Sequence, residues 1–360
     1  MPAASAHLRH DQLALFRAVA DRCGLEIAHL SLADDSRGGT ELSDHFPRAK
    51  PVTDFRHELT SANVQVVLLG ALPGAKGEEA GAIADLCAQR GLRLITLEPI
   101  PASATDVRRA ELWGTAVRIV PLLRDATLFA AAGEALADFG PIRTVSIASR
   151  AARADGSLGA RLFDAMLIVH SLLGQPESID ASVICPGSVA GVHPAPADSL
   201  ALLSGDLTAN LRFAGPHAAS MSLSDRAGRW FRGVTLLGDA GCIRIDDAGF
   251  EVIDPAGTTI DRSPGPSGAR AKGADPTGEK KSSRRKAEPG GAAPAEKNSG
   301  GTGAIDVLAA AVARALDDRS PRPAPIDFSA VLSMCEAAIL SARTGQAESP
   351  ATVQRMAMAS

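Results

Sequence analysis

The stretch Leu92–Pro101, LRLITLEPIP, combines a short apolar strand with a single carboxylate at its end. Glu98 follows an apolar leucine, and the prolines Pro99 and Pro101 prevent the strand from continuing. Ligands of open α/β sheets bind beyond the carboxyl ends of the strands. Glu98 is therefore a candidate functional residue, provided that the neighbouring segments form a parallel sheet.

The segments around this stretch alternate between strand and helix patterns. Leu25–Asp35, Val64–Gly74 and Val117–Leu123 read as strands, and apolar residues recur at helical spacing between them. This alternation predicts βαβ units and a parallel sheet over residues 1–120. No apolar strand is evident before the first helix, Gln12–Gly24, so we expect the usual first strand of such a sheet to be missing.

The pattern changes after residue 120. A strand, 141–150, and a long apolar helix, Leu158–Gly174, precede six strand-like stretches between residues 178 and 255. This order predicts a second α/β domain, residues 121–345, built on a large, mostly antiparallel open sheet, with a tail at 346–360. The apolar residues of ASVICP, LTANLRF and GVTLLG predict an exposed apolar face on that sheet, and hence a protein interface.

Residues 263–303 contain no apolar side chain larger than alanine apart from proline. Such a segment cannot bury enough surface to offset its ordering entropy, so we predict a disordered insertion within the second domain. Its basic run, Lys280–Lys286, is typical of a solvated linker or of a patch for anionic partners. Two amphipathic helices, 305–318 and 328–346, follow and complete the fold.

Composition excludes several classes of function. The 360 residues are 45% hydrophobic and carry a formal net charge of −4, with no tyrosine and 3% aromatic residues, which argues against nucleic acid as a partner. The five cysteines are scattered without a CxxC pair, so neither a metal site nor a redox dithiol is expected. No apolar run is long enough to cross a membrane, and no signal peptide is evident. We expect a soluble, cytoplasmic protein.

Four stretches resemble the Gfo/Idh/MocA family of glucose-fructose oxidoreductases and inositol dehydrogenases. They are LSDHFPRAKPVTDFRHELTSANVQVVLLGALP from Leu42, CAQRGLRLITLEPIPAS from Cys87, LFDAMLIVHSLLGQPESI from Leu162 and FSAVLSMCEAAILSARTGQ from Phe328. The resemblance implies a Rossmann-like domain followed by a domain whose open sheet forms a homo-oligomer. It also implies NAD(P) as cofactor and hydride transfer on a sugar or polyol.

The resemblance also assigns candidate cofactor-binding residues, namely Asp34, Gly70, Ala71 and Pro99. Asp34 lies where the family places the acid that binds the adenosine ribose, and a turn or helix-capping role explains it equally well. The family's glycine-rich phosphate loop, GxGxxG, has no counterpart, because no glycine precedes Gly24. Binding of NAD(P) is therefore doubtful.

The catalytic positions of the family also differ here. Aligned on Pro99, Glu98 takes the place of the lysine that binds the reacting hydroxyl, and Asp164 takes the place of the acid/base histidine. A carboxylate in place of a positioned donor costs about 3–4 kcal/mol of transition-state stabilisation. Two hypotheses follow: a silent homologue with a degenerate site, or an active oxidoreductase with Glu98 and Asp164 as an altered pair and a truncated or misassigned N-terminus.

Overall fold

The computed structural model describes residues 1–33, 44–74, 79–113, 116–189, 194–264, 303–320 and 324–359. In these ranges the chain forms a six-stranded parallel sheet and an eight-stranded mixed sheet, each covered by helices. No helix of the described ranges is long and apolar enough to span a membrane. The predicted fold class, a Rossmann-like parallel-sheet unit joined to a larger α/β unit, is confirmed.

The first sheet has the strand order β3-β2-β1-β4-β5-β6, with every pair parallel. Its strands are β1 Ala3–Leu8, β2 Glu26–Leu32, β3 Lys50–Pro51, β4 Val66–Leu69, β5 Arg93–Thr96 and β6 Val117–Ile119. The helices of this region are α1 Leu13–Cys23, α2 Phe55–Ser61, α3 Ala80–Arg90 and α4 Val107–Trp113. The chain winds outward in both directions from β1 and β4, which makes the gap between these strands a topological switch point.

The prediction that the first strand is missing is wrong. Ala3–Leu8 forms β1, which pairs with β2 on one side and β4 on the other. Its apolar pattern is interrupted by Ser5 and His7, both of which are buried. The Ser5 hydroxyl lies 3.2 Å from Nδ1 of His29, so this polar group has a partner inside the sheet. The strand escapes a search for apolar runs because Ser5 and His7 interrupt its apolar pattern.

The second sheet has the order β14-β13-β12-β11-β7-β10-β9-β8, in which β7 and β10 alone are parallel neighbours. Its strands are β7 Ile142–Ala152, β8 Ser178–Ile184, β9 Asp206–Arg212, β10 Ala218–Ser224, β11 Arg226–Gly238, β12 Gly241–Asp246, β13 Gly249–Ile253 and β14 Thr259–Pro264. The remaining helices are α5 Thr127–Ala131, α6 Gly133–Asp138, α7 Leu158–Leu173, α8 Ala304–Leu316, α9 Phe328–Thr344 and α10 Pro350–Ala359. Helices α7 and α9 share a buried apolar cluster with the sheet.

The two faces of the second sheet differ sharply in polarity. A row of paired residues on the inner face is apolar and buried: Ala181, Ala209, Met221, Ile147, Val234, Ile245 and Phe250. The next row, on the outer face, is polar: Asp180, Asn210, Ser220, Ser146, Thr235, Arg244 and Glu251. The prediction of a continuous apolar outer face is therefore wrong. Side chains alternate along a strand, and the apolar residues of the three predicting stretches mostly point inward.

Helix α8 falls within the predicted second domain, residues 121–345, yet it packs on the first sheet. Leu308 and Val312 of this helix share a buried cluster with α1, β1 and β2. The thiol of Cys23 donates to the carbonyl of Ala309 across the same contact, at 3.4 Å. The chain therefore returns to the first sheet after completing the second, and the division at residue 120 stays a prediction.

The C-terminal region and the insertion differ from the expected boundaries. The segment 346–360, predicted as a tail, contains α10, which packs beside α9. Of the predicted insertion 263–303, residues 265–302 lie outside the described residues. Its first two residues belong to β14 and its last, Gly303, is the N-cap of α8.

Replacement by alanine should have opposite effects on stability at two helical glycines. A Cβ atom on Gly159, in the first turn of α7, would lie 2.1 Å from the backbone oxygen of Leu200, which cannot move aside as a flexible side chain can. We expect Gly159→Ala to reduce the free energy of unfolding by about 1–3 kcal/mol. Gly133→Ala in α6, where nothing lies within 4 Å, is the control and should gain up to about 1 kcal/mol. Urea unfolding of both variants measures this, and equal stabilities would contradict the close contact.

Candidate functional site

The side chain of Gln12 makes hydrogen bonds within the loop that follows β1 and to two neighbouring segments. Residues 9–12, Arg-His-Asp-Gln, form a turn that leads into α1. Gln12 is fully buried, and its Oε1 accepts from the backbone N–H of Arg9 at 3.0 Å. Its Nε2 donates to the carbonyl of Gly70 at 2.8 Å and to that of Ala154 at 3.2 Å. One side chain thus joins the ends of β1 and β4 to the segment that precedes α7.

The same side chain occupies the space beside Gly70, in what we call the switch-point crevice: the gap between the carboxyl ends of β1 and β4, bounded by residues 9–12 and 70–74. A Cβ atom on Gly70 would lie 2.6 Å from Oε1 of Gln12 and 2.8 Å from Cε2 of Phe16. Gly70 is therefore needed for close packing against side chains of this chain. Sequence reasoning missed Gln12, because its partners Gly70 and Ala154 are distant in sequence.

The other predicted cofactor-binding residues are placed as follows. Ala71 and Pro99 are buried at the ends of β4 and β5, on the crevice side of the sheet. Asp34 lies outside the described residues. The structure thus brings Gly70 and Ala71 to the carboxyl edge expected for a ligand, with Gly70 covered by Gln12 and Phe16.

Glu98 binds the N-terminus of α7. Its side chain is 3% exposed, and its carboxylate accepts from the backbone N–H of Ser157 at 3.1 Å and from the Ser157 hydroxyl in a short hydrogen bond. Ser157 is the N-cap of α7, where its Oγ also accepts from the N–H of Ala160 at 3.0 Å. Unpaired N–H groups and the helix dipole favour a negative charge at this position. The carboxylate that ends β5 is therefore a contact between the two sheets.

Burial and hydrogen bonding act in opposite directions on Glu98. Loss of hydration raises the pKa of this carboxyl, and the hydrogen bonds from Ser157 and the charge of Arg9 oppose the increase. The Arg9 guanidinium lies 3.9 Å from Oε1 of Glu98 and donates to the carbonyl of Arg153 at 2.6 Å. The backbone at Glu98 is fixed by the Thr96 hydroxyl, which pairs with its N–H and its carbonyl. The group is thus held in place on several sides.

Asp164 lies elsewhere on the same helix. Its Oδ1 accepts from the backbone N–H of Leu123 at 2.9 Å, and its Oδ2 lies 3.5 Å from Nη1 of Arg232. Burial raises the pKa of Asp164 to about 6. Seven residues separate Ser157 from Asp164, which is about 10 Å along a helix. Glu98 and Asp164 therefore have separate partners along α7, and the structure does not bring the predicted pair together.

Sequence reasoning also missed a cationic cluster between α7 and β11. Arg161 and Arg232 lie on the ring of Trp230, with guanidinium carbons 5.3 and 5.4 Å from its centroid. Arg232 is buried and donates to Asp247 at 2.9 Å and to the carbonyl of Pro121 at 2.8 Å. Burial lowers the pKa of Arg161 to about 10. These residues come from distant segments, so no local pattern could have indicated the cluster.

We expect the substitution Asp164→Asn to change the free energy of unfolding in a pH-dependent way. The raised pKa means that, between about pH 4 and pH 6, the native state keeps a proton that the unfolded state has released. Wild-type stability from this group therefore falls as the pH rises through that window. Asparagine does not titrate and keeps an oxygen for Leu123, so the variant should gain on the order of 1–3 kcal/mol relative to wild type between these pH values.

Urea unfolding of both proteins at several pH values measures the difference in their free energies of unfolding. The lost contact with Arg232 adds a constant to this difference at every pH, so only its change with pH is used. A difference that does not change between pH 4 and pH 6 would contradict the buried, titrating Asp164. Asp180→Asn, on the exposed outer row of the second sheet, is the matched control and should show no such trend.

Comparisons with known proteins give a likeness of fold. No protein-family model matches the sequence, and no curated protein matches it. Among solved structures, an oxidoreductase from Agrobacterium radiobacter in complex with NAD+, L-tartaric acid and magnesium is 15% identical, with a TM-score of 0.61, over 98% of this chain and 99% of that chain.

Two further structures give the same picture. A myo-inositol dehydrogenase from Corynebacterium glutamicum is 15% identical, with a TM-score of 0.57, over 97% of this chain and 99% of that chain. A biliverdin reductase from Synechocystis, in complex with biliverdin and NADP+, is 15% identical, with a TM-score of 0.55, over 94% and 97%. At this identity the likeness concerns the fold: the chain shares the two-sheet fold of these solved structures.

Proposed function

We propose that this protein is an oxidoreductase homologue whose nucleotide site is degenerate and whose hydride transfer on a sugar or polyol is impaired or absent. The observation that carries the proposal is the buried side chain of Gln12 in the switch-point crevice. In dinucleotide-binding sheets this position is a glycine-rich turn, which lets the backbone approach the pyrophosphate. Here the turn is held shut by hydrogen bonds within the chain.

The residues present do not fit NAD(P). Gln12 and Phe16 already contact the face of Gly70 that a cofactor would need to approach. The cation of this turn, Arg9, already pairs with the carboxylates of Asp11, at 3.2 Å, and Glu98, at 3.9 Å, so its charge is engaged within the chain. Opening the crevice would break the hydrogen bonds of Gln12 to both Gly70 and Ala154. We therefore assign no reaction step to a nicotinamide in this site.

Glu98 has a positioning role in this proposal. Both of its carboxylate oxygens are engaged by Ser157 and are not left open to a substrate hydroxyl. The lysine expected at this place from the family resemblance would supply such a donor. The carboxylate instead fixes the N-terminus of α7 against the first sheet.

The alternative, an active oxidoreductase that uses Glu98 and Asp164, is favoured by one observation. The pKa of Asp164 is raised to about 6, which is within the range of acid/base groups that work near neutral pH. Its oxygens face Leu123 and Arg232, however, and Glu98 is two helical turns away along α7. An active pair would require a rearrangement of both carboxylates.

Three further proposals concern the cellular location, the assembly surface and the substrate class. We infer a cytoplasmic location from the five cysteines, all of them free thiols in the structure. Assembly through the second sheet would join the polar outer row, which includes Ser146 and Ser220, so hydrogen bonds would contribute more than apolar burial. A sugar or polyol remains the substrate class if chemistry survives.

Titration with NADH tests the closed crevice. We expect no change in nucleotide fluorescence with the wild-type protein at millimolar NADH, because Gln12 occupies the approach to the backbone. Gln12→Gly removes that side chain, and Asp21→Asn, on the exposed end of the salt bridge with Arg17 in α1, is the matched control. Micromolar binding by the wild-type protein would overturn the proposal, and binding gained by Gln12→Gly alone would support it.

An activity screen separates the two candidate functions. Sugars and polyols are offered with NAD+ or NADP+ between pH 5 and pH 9, and NAD(P)H is followed by absorbance. The proposal predicts no turnover by wild type or by Glu98→Lys, since the lysine restores the donor but not the nucleotide site. Turnover by wild type favours the alternative, and an unchanged rate in Glu98→Ala would then show that Glu98 has no catalytic role.

A further inference from the structure

A large cavity lies beside the edge of the first sheet. It measures about 880 Å³ and is enclosed by β6, by α4 and α5, by the C-terminal end of α8 and by the residues that lead into α9. Its walls are mostly apolar and include Ile119, Leu122, Ile326 and Phe328. Cavities of this size hold small organic ligands in other proteins. Neither Gln12 nor Gly70 contributes to its wall, so it is distinct from the switch-point crevice.

Arginines give this apolar cavity an excess of positive charge. Arg93, Arg118, Arg124 and Arg314 all line it. Arg93 pairs with Asp318 at 2.6 Å, and that aspartate is 88% exposed at the rim. Asp317, the other carboxylate at the rim, is also exposed and accepts from the N–H of Arg319 and the hydroxyl of Ser320. The rim charges are therefore either paired or solvated.

The inner part of the wall has three guanidinium groups and one carboxylate. Asp125 interacts with Arg124, at 3.4 Å, and with the charges of Arg314 and Arg118. Arg124 donates to the carbonyls of Ala324, at 2.7 Å, and Pro325, at 3.3 Å, which hold it without neutralising it. Arg124 and Arg314 thus share one carboxylate, Asp125, between them.

Arg314 is a cation in a mostly apolar part of the cavity wall. It is half-buried on α8, and its Nη1 donates a long hydrogen bond, 3.4 Å, to the hydroxyl of Thr127. Burial and the nearby charge of Arg232 lower the pKa of Arg314, and Asp125 acts against them. A cation held in a partly apolar wall is stabilised when a negative group comes into contact with it. The wall thus has the chemistry of an anion site next to an apolar surface.

We propose that this cavity binds a small molecule with an apolar body and one acidic group, a carboxylate or a phosphate monoester. The acidic group contacts Arg314 and Arg124, and the apolar body lies against Ile119, Leu122 and Phe328. Arginine suits either acid because its planar group donates two parallel hydrogen bonds. Arg124 and Arg314 favour an anion, and the predominance of apolar wall favours a body larger than an inorganic ion.

Two fluorescent probes that share an apolar body test the proposal. Anilinonaphthalene sulfonate carries an acidic group, and N-phenyl-1-naphthylamine is its neutral counterpart. We expect the wild-type protein to bind both, and Arg314→Gln to weaken the sulfonate at least about tenfold, as for the loss of a charged hydrogen bond. Binding of the neutral probe should not change. Arg17→Gln, an arginine on α1 outside the cavity with 45% side-chain exposure, is the matched control.

A second variant fills the cavity. Ala130 lines it from the exposed side of α5, so Ala130→Trp adds bulk there with little effect on the buried core. Both probes should lose binding in this variant. Octanoate and octyl phosphate are then competed against the sulfonate on the wild-type protein, and the stronger competitor identifies the acidic group.

Three results would overturn the proposal: equal sulfonate binding by Arg314→Gln and wild type, unchanged probe binding by Ala130→Trp, or no displacement by either octyl compound. Thermal unfolding of each variant shows whether a loss of binding reflects a loss of folded protein. Since the probes carry no nucleotide, the outcome is independent of whether the crevice binds NADH.

Discussion

The buried carboxylate of Glu98 is the interaction on which the relation between the two sheets depends. It lies just after β5 of the first sheet and accepts from the N–H and the hydroxyl of Ser157, the N-cap of α7, which is the helix that covers the inner face of the second sheet. Arg9 and Gln12 contact the carbonyls of Arg153 and Ala154 just before that helix. The edge at which open α/β sheets usually bind ligands is thus occupied by contacts that join the two halves of the chain.

The buried polar groups of the second half follow a related principle. Arg232 is surrounded by Asp247, Asp164, a carbonyl and the ring of Trp230, so its charge is balanced although it is out of contact with water. Such a group is costly to bury and more costly to leave unpaired. Removing one of its partners would leave the buried charge of Arg232 less well compensated. The network therefore fixes the position of α7 at its middle, as Glu98 does at its start.

The architecture could be predicted from the sequence because long periodic segments dominate it. Val66–Leu69 is a continuous apolar run, Arg93–Thr96 has an apolar centre, and the long helix α7 is apolar over most of its length. β1 was not predictable in the same way, since Ser5 and His7 interrupt it and are accommodated by neighbours distant in sequence. The outer face of the second sheet was misjudged because mean apolar content conceals the alternation along a strand.

The candidate site was less predictable than the fold. The position of Glu98 at a strand end follows from two prolines, yet its partner Ser157 lies 59 residues away in sequence. Gln12 acts through contacts with Gly70 and Ala154, which a local pattern cannot show. Short-range rules describe elements, whereas a site is defined by the groups that meet between them.

The return of α8 to the first sheet bears on how the protein is made. The N-terminal strands leave the ribosome first, but the helix that covers α1 follows only after residues 121–303 have been added, a delay of roughly 10 to 40 s. Until then the apolar surface that Leu308 and Val312 will cover remains open to solvent and to other chains. The first sheet therefore receives this cover only after every strand of the second sheet has been made, and α9, which packs on the second sheet, follows later still.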